Sequence, residues 1–188
     1  MGIGPESATA KKNILLTGRP RVGKSTLVQR VIERLRNLGF TTMGGFYTLE
    51  VAEGGTRLGF DIHTLDGRIG RLARVGLESR HRLGKYGIDL EQFESVAIPA
   101  LEEAIRRGGL VVIDEIGFME LKSRRFREKV EAALVSPAPV LAAIMRNRFE
   151  FPDAIKARED VLLITVMVDN RDRLVEEIVE RVRQRMVR

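Results

Sequence analysis

Nine residues near the start of the chain, Gly18-Arg19-Pro20-Arg21-Val22-Gly23-Lys24-Ser25-Thr26, constrain its fold more than any other stretch. They fit G-x-x-x-x-G-K-[ST], a phosphate-binding loop whose meaning depends on a strand before it and a helix after it. Both are legible. Ile14-Leu15-Leu16 enters the motif as a short apolar strand, and Leu27, Val28, Val31, Ile32, Leu35 and Leu38 leave it on one helical stripe. A loop so placed aims consecutive backbone N–H groups and the positive end of the helix dipole at one anion. Gly18, Arg19, Pro20, Arg21, Val22, Gly23, Lys24, Ser25 and Thr26 are therefore candidate phosphate binders. Lys24 adds a charge that can reach the β- and γ-phosphates, and Ser25 offers a hydroxyl to Mg2+.

The pattern downstream alternates strands and helices. Gly39 reads as a helix C-cap, and Thr42 to Val51 as a strand. Glu53-Gly54-Gly55 is a turn, and residues 58–65 alternate apolar and polar as a half-buried strand does. After the Asp66-Gly67 hairpin signal a third strand runs over 68–73, making an antiparallel meander of about 44–73. Residues 74–86, with Arg74, Arg80, Arg82 and Lys85, have no regular period and read as a basic loop. Asp89 caps a helix to about Arg107 that Pro99 should kink or split. Leu110-Val111-Val112-Ile113 is apolar throughout, the mark of a central parallel strand. Ser123 starts another helix, Val140 to Met145 is a further buried strand, and 146–153 reads as a basic, aromatic loop. A last strand over 161–168 precedes a helix capped by Asp169 or Asn170. The expected architecture is a three-layer α/β domain with a mostly parallel core sheet and an antiparallel meander inserted in it.

The apolar run 110–113 ends in Asp114-Glu115. Parallel α/β sheets place ligands at the carboxyl ends of their strands, where Gly18 and Asp114 both fall. Asp114 is the expected Mg2+ ligand with Ser25, and Glu115 the group that orients or deprotonates an attacking water. Phosphoryl transfer also needs a cation for the charge on the γ-oxygens. Arg146 is the first choice because it follows a strand whose end should face the site; Arg19, Arg21, Arg148, Arg74 and Lys85 are the other candidates. Phe46, Tyr47, Phe149 and Phe151 could stack on a base, although aromatics on strands more often fill the core.

Composition narrows the field. No cysteine is present, which removes disulfides and thiolate sites and fits a reducing cytoplasm. With only His63 and His81, a His-rich metal site is excluded, so a metal must be a hard cation held by oxygens. No apolar run approaches the ~20 residues that span a bilayer, so no membrane partner is expected. The charge of +6 and pI of about 10.0 allow nucleic acid as a partner but do not favour it, because the basic residues are spread along the chain. Residues 1–12 read as a flexible lead-in and 13–188 as one P-loop domain acting as a monomer.

The motifs also run in the order of a known family. Besides the P-loop there are Gly44-Gly45-Phe46-Tyr47-Thr48 with Glu50-Val51, Gly59-Phe60-Asp61, Arg74-Val75-Gly76 and Gly84-Lys85-Tyr86 before Asp89-Leu90. Asp114-Glu115-Ile116-Gly117, Met119-Glu120-Leu121 and Asn170-Arg171-Asp172 follow. Over about residues 13–187 the chain resembles the small P-loop nucleoside-triphosphatase family of thermophiles and archaea, whose animal member is a cancer-related nucleoside-triphosphatase. It departs from that pattern at Arg19 and Arg21, where small residues are usual, and at Phe118, where Lys or Pro is common. The resemblance implies a RecA-like domain that hydrolyses ATP, GTP, CTP and UTP slowly with Mg2+ and broad base tolerance. It implies phosphate binding by Gly18 to Ser25, and metal and water handling by Asp114 and Glu115. The alternatives are a nucleoside or nucleotide kinase with an Arg-rich lid at 74–86, and a nucleotide-gated module acting on RNA or protein.

Overall fold

A computed structural model describes residues 11–186. The expected lead-in at 1–12 lies, but for Lys11 and Lys12, outside the described residues. Strand β1 (Asn13–Thr17) ends at the P-loop, and helix α1 (Lys24–Asn37) leaves it. Strands β2 (Met43–Glu53), β3 (Thr56–Thr64) and β4 (Ile69–Val75) form the meander. Then come β5 (Arg82–Leu83), β6 (Tyr86–Ile88), α2 (Leu90–Arg107) and β7 (Leu110–Ile116). A 3-10 turn (Glu120–Lys122) and α3 (Arg124–Val135) follow. The rest is β8 (Val140–Ile144), α4 (Glu150–Lys156), β9 (Val161–Thr165) and α5 (Arg171–Met186).

Among the described residues all nine strands share one sheet, in the order β5-β6-β4-β3-β2-β7-β8-β1-β9. From β2 to β9 the neighbours are parallel, and from β2 to β5 they are antiparallel. The meander thus continues the core sheet through β2, which is parallel to β7 on one side and antiparallel to β3 on the other. Two apolar clusters lie on the two faces. Phe93, Leu101, Phe126 and Val130 from α2 and α3 meet Leu15, Phe46 and Ile113 on one. Val28, Val31 and Leu35 of α1 and Leu174 and Ile178 of α5 meet Leu16, Val112 and Leu141 on the other. Helices on both faces explain why β1, β7 and β8 are apolar without alternation.

Several local expectations are corrected. The basic stretch 74–86 carries the end of β4 and the small β5–β6 hairpin, whose pairing hides short runs that period alone cannot reveal. Helix α4 begins at Glu150, inside the stretch read as a loop; Pro152 falls in its first turn, where proline is tolerated. Strand β9 ends at Thr165, because Asn170 bonds Met167 N–H and the Thr165 carbonyl and turns the chain there. Pro99 does not split α2: it is exposed, and so is Ser95, whose carbonyl loses its partner on the water side. Phe46, by contrast, lies where an aromatic on a strand is most expected: it is fully buried and packs on Phe93 and Phe126 at 5.8 and 6.0 Å between centroids, which leaves it unable to stack on a base.

Candidate active site

The helix after the P-loop starts with no side-chain cap and no acidic residue in its first turn. Its N–H groups therefore remain available to an anion. Gly23 at φ 104° turns the loop into α1, a conformation costly for any residue with a Cβ. Arg21 holds a left-handed φ of 62° at the loop's tip, a strain of about 1–3 kcal/mol of the kind that gathers at binding sites. Arg171 steadies the loop by donating from Nη1 to the Val22 carbonyl at 3.3 Å, and Asp172 pairs with Arg30 of α1.

Across the loop stands the end of β7. Ile113 is opposite Ala142 of β8 and Ile116 is opposite Ile144, so β7 carries one extra residue between them. That bulge changes the alternation of side chains at Asp114 and Glu115. Strict alternation would send the two carboxylates to opposite faces. Instead both face α1: Ser25 Oγ donates to Asp114 Oδ1 at 3.1 Å, and Glu115 Oε2 lies 3.6 Å from Lys24 Nζ. Thr48 of β2 fixes the same strand end by donating to the Asp114 carbonyl at 2.7 Å.

These groups line a cavity of about 680 Å3. Gly18, Pro20, Arg21, Gly23, Lys24, Ser25 and Thr26 form one wall, with Arg146 and Asn147 at another edge. Arg19 is exposed and outside the lining, and Val22 packs into the core beneath α1. Arg74 is engaged with Asp61 at 2.7 Å, while Arg148 and Lys85 do not line the cavity. Tyr47 stacks on His63, Phe149 meets Phe118 edge-on at 4.9 Å, and Phe151 packs on the core. Reading the sequence missed the wall opposite the P-loop: Glu50 paired with Arg57, Phe60 under that guanidinium, and the buried Glu120. The Gly54-Gly55 turn was a usable signal, since it sets Arg57 against Ala52 and brings Glu50 within reach.

Electrostatics mark out two acids. Asp114 is fully buried, and desolvation, reinforced by the charge of Glu115, pushes it up to about 7. Glu120 is pushed up to about 8 by the same two causes in the same order. Asp114 Oδ2 is buried with no hydrogen-bond partner. An orphaned oxygen beside a serine hydroxyl, in an all-oxygen donor set, fits a hard cation such as Mg2+. Both shifts carry a stability consequence. Between its unfolded and folded pKa values such a carboxyl binds more protons in the folded state, so stability falls as pH rises through that window. In the presence of chelator the Tm should therefore drop from about pH 5 to pH 8.5, and an Asp114→Asn, Glu120→Gln double variant should flatten that slope in a thermal-melt series.

Residues 13–179 match the protein-family model described as NTPase. The nucleoside-triphosphatase THEP1 of Thermotoga sp. (strain RQ2) is 46% identical over 165 residues, which span 88% of this chain and 92% of the relative. The crystal structure of THEP1 from the hyperthermophile Aquifex aeolicus is similar at a TM-score of 0.82 and 34% identity, covering 90% of this chain and 98% of that one. The solution structure of a human cancer-related nucleoside triphosphatase gives 0.78 and 39% identity, covering 90% of this chain and 96% of that one.

Proposed function

The chain belongs to the NTPase family, and from that premise we propose how its own residues carry out the hydrolysis of nucleoside triphosphates to diphosphate and phosphate. The observation that carries the reading is the convergence of Lys24, Ser25, Asp114 and Glu115 on one cavity. The P-loop N–H groups and Lys24 bind and orient the β- and γ-phosphates. Ser25 and Asp114 would hold Mg2+, which when bound offsets the charge developing on the phosphate oxygens. Glu115, half-buried and reachable from the cavity, takes the proton of the attacking water as its oxygen bonds to phosphorus. Arg146, exposed at the cavity's edge, is the candidate cation for the γ-oxygens. The cysteine-free composition supports the cytoplasm.

Base tolerance is read from which groups line the cavity: the P-loop, Lys24, Ser25 and Asp114 serve phosphates and metal, while Asn170-Arg171-Asp172 bonds the backbone of 165–167, Val22 and Arg30. Binding energy then comes from phosphates and metal, and ATP, GTP, CTP and UTP should be hydrolysed within roughly tenfold of one another, a spread of about 1.4 kcal/mol. Steady-state phosphate release from each, with and without Mg2+, tests both points. Full activity in chelator would remove the metal from the reading, and a preference of several orders of magnitude would remove the tolerance.

A further inference from the structure

None of the steps above uses the wall that β2 and β3 raise opposite the P-loop. Glu50 of β2 is opposite Phe60 of β3, and Val51 is opposite Gly59, but Ala52 is opposite Arg57, so Leu58 is an extra residue in β3. Strict alternation would send Arg57 and Phe60, three residues apart, to opposite faces of the sheet. The bulge instead turns Arg57 to the face of Glu50 and Phe60, and all three line the cavity that holds Lys24, Asp114 and Glu115. There the guanidinium pairs with Glu50 and lies 5.3 Å over the centre of the Phe60 ring. Phe60 is itself fixed, packed against the core and edge-on to Tyr86 at 5.5 Å.

A cross-strand ion pair at a surface adds only about 0–1 kcal/mol and needs neither a bulge nor an aromatic floor. Here the arginine side chain is 26% exposed, and its Nε is buried with no hydrogen-bond partner. Burial with a donor unused is costly, so this position is poorly explained by strand pairing alone. Arg21 and Arg146, the other arginines on the cavity, are exposed, and among the described residues neither is held by an ion pair. Arg57 is the one that arrives already oriented, and a cation fixed in advance stabilises developing charge without reorganising. We propose that Arg57 is a catalytic residue of this hydrolysis: from the wall facing the P-loop its guanidinium donates to the terminal phosphate of the bound triphosphate. This rests on the P-loop as the triphosphate site. The loop's N–H groups enclose the inner phosphates and leave the terminal one projecting across the cavity, where a cation on the opposite wall meets it. Glu50 engages Nη2, which leaves the fork other donors to offer. As the oxygen of water bonds to phosphorus and the bond to the departing diphosphate breaks, the charge on the γ-oxygens lies between Lys24 and Arg57. No proton leaves the guanidinium.

The test compares Arg57→Met, Arg57→Ala and Lys24→Ala with the wild type. Phosphate release is measured, together with binding of the Mg2+ complexes of ADP and of the β,γ-imido analogue of ATP. Methionine keeps an apolar stem on Phe60 while removing the charge. Both Arg57 variants should lose about 10²-fold in kcat, equally with ATP and GTP. Affinity for the imido analogue should fall about 3- to 10-fold, while ADP, which lacks the terminal phosphate, should bind within about twofold of wild type. A pair that merely braced the wall would not give that split, because a slackened wall weakens both nucleotides together. A kcat within about threefold of wild type in Arg57→Met, or equal losses of affinity for ADP and the analogue, overturns the contact. If the alanine variant does not fold, the methionine variant decides. Near-normal hydrolysis by Lys24→Ala overturns the triphosphate site and the contact with it. An inactive Lys24→Ala beside wild-type kcat in both Arg57 variants overturns the contact alone.

Discussion

Lys24→Ala is expected to abolish measurable turnover, a loss of at least about 10³ in kcat/KM or roughly 4 kcal/mol of transition-state stabilisation. Lys24 is only 8% exposed and stands 3.6 Å from Glu115, at the head of a helix with no acidic first turn. Its ammonium is the cation nearest a wall that also carries Asp114 and Glu120. Removing it leaves that wall acidic against a polyanionic substrate, so triphosphate affinity should fall together with kcat. Lys24→Arg should not rescue activity, because a planar, bulkier fork must replace a compact ammonium in a buried position. Phosphate release and nucleotide titration on the purified variants check both effects, and near-normal hydrolysis by Lys24→Ala would end the P-loop assignment.

The parts of this protein legible in its sequence are those whose chemistry is local. The P-loop is nine consecutive residues between a strand and a helix, and the run 110–113 announces a buried strand by composition alone. The Asp66-Gly67 turn and the Gly54-Gly55 turn likewise gave the meander its outline. Features that need register were not legible. Whether Asp114 and Glu115 face together depends on one extra residue in β7 relative to β8, a strand 30 or so positions away. The Glu50–Arg57 wall depends on how β2 and β3 pair, and Glu120 on a 3-10 turn too short to show a period. Which of two neighbouring strand aromatics fills the core also depends on register: Phe46 and Tyr47 alternate across the sheet, so one joins the core while its neighbour stacks on His63.

Glu115→Gln and Asp114→Asn should separate two roles that adjacent acids could otherwise share. The bulge brings both carboxylates to the P-loop side but leaves them in different surroundings. Asp114 is fully buried against Ser25 with a second oxygen unpartnered, as a ligand awaiting a cation would be. Glu115 keeps 34% of its side chain exposed toward the cavity, where water arrives. Glu115→Gln preserves shape and hydrogen bonding while removing the basic oxygen. It should leave MgATP binding nearly intact and lower kcat by about 10²–10⁴, the usual range for a lost general base. Asp114→Asn should instead raise the Mg2+ concentration needed for half-maximal activity, because a neutral amide oxygen is a poorer ligand for a hard dication. Activity titrations against Mg2+ on both variants decide the matter. A shifted Mg2+ requirement in Glu115→Gln with an unshifted one in Asp114→Asn would exchange the roles, placing the metal on the more exposed acid and the base in the buried position.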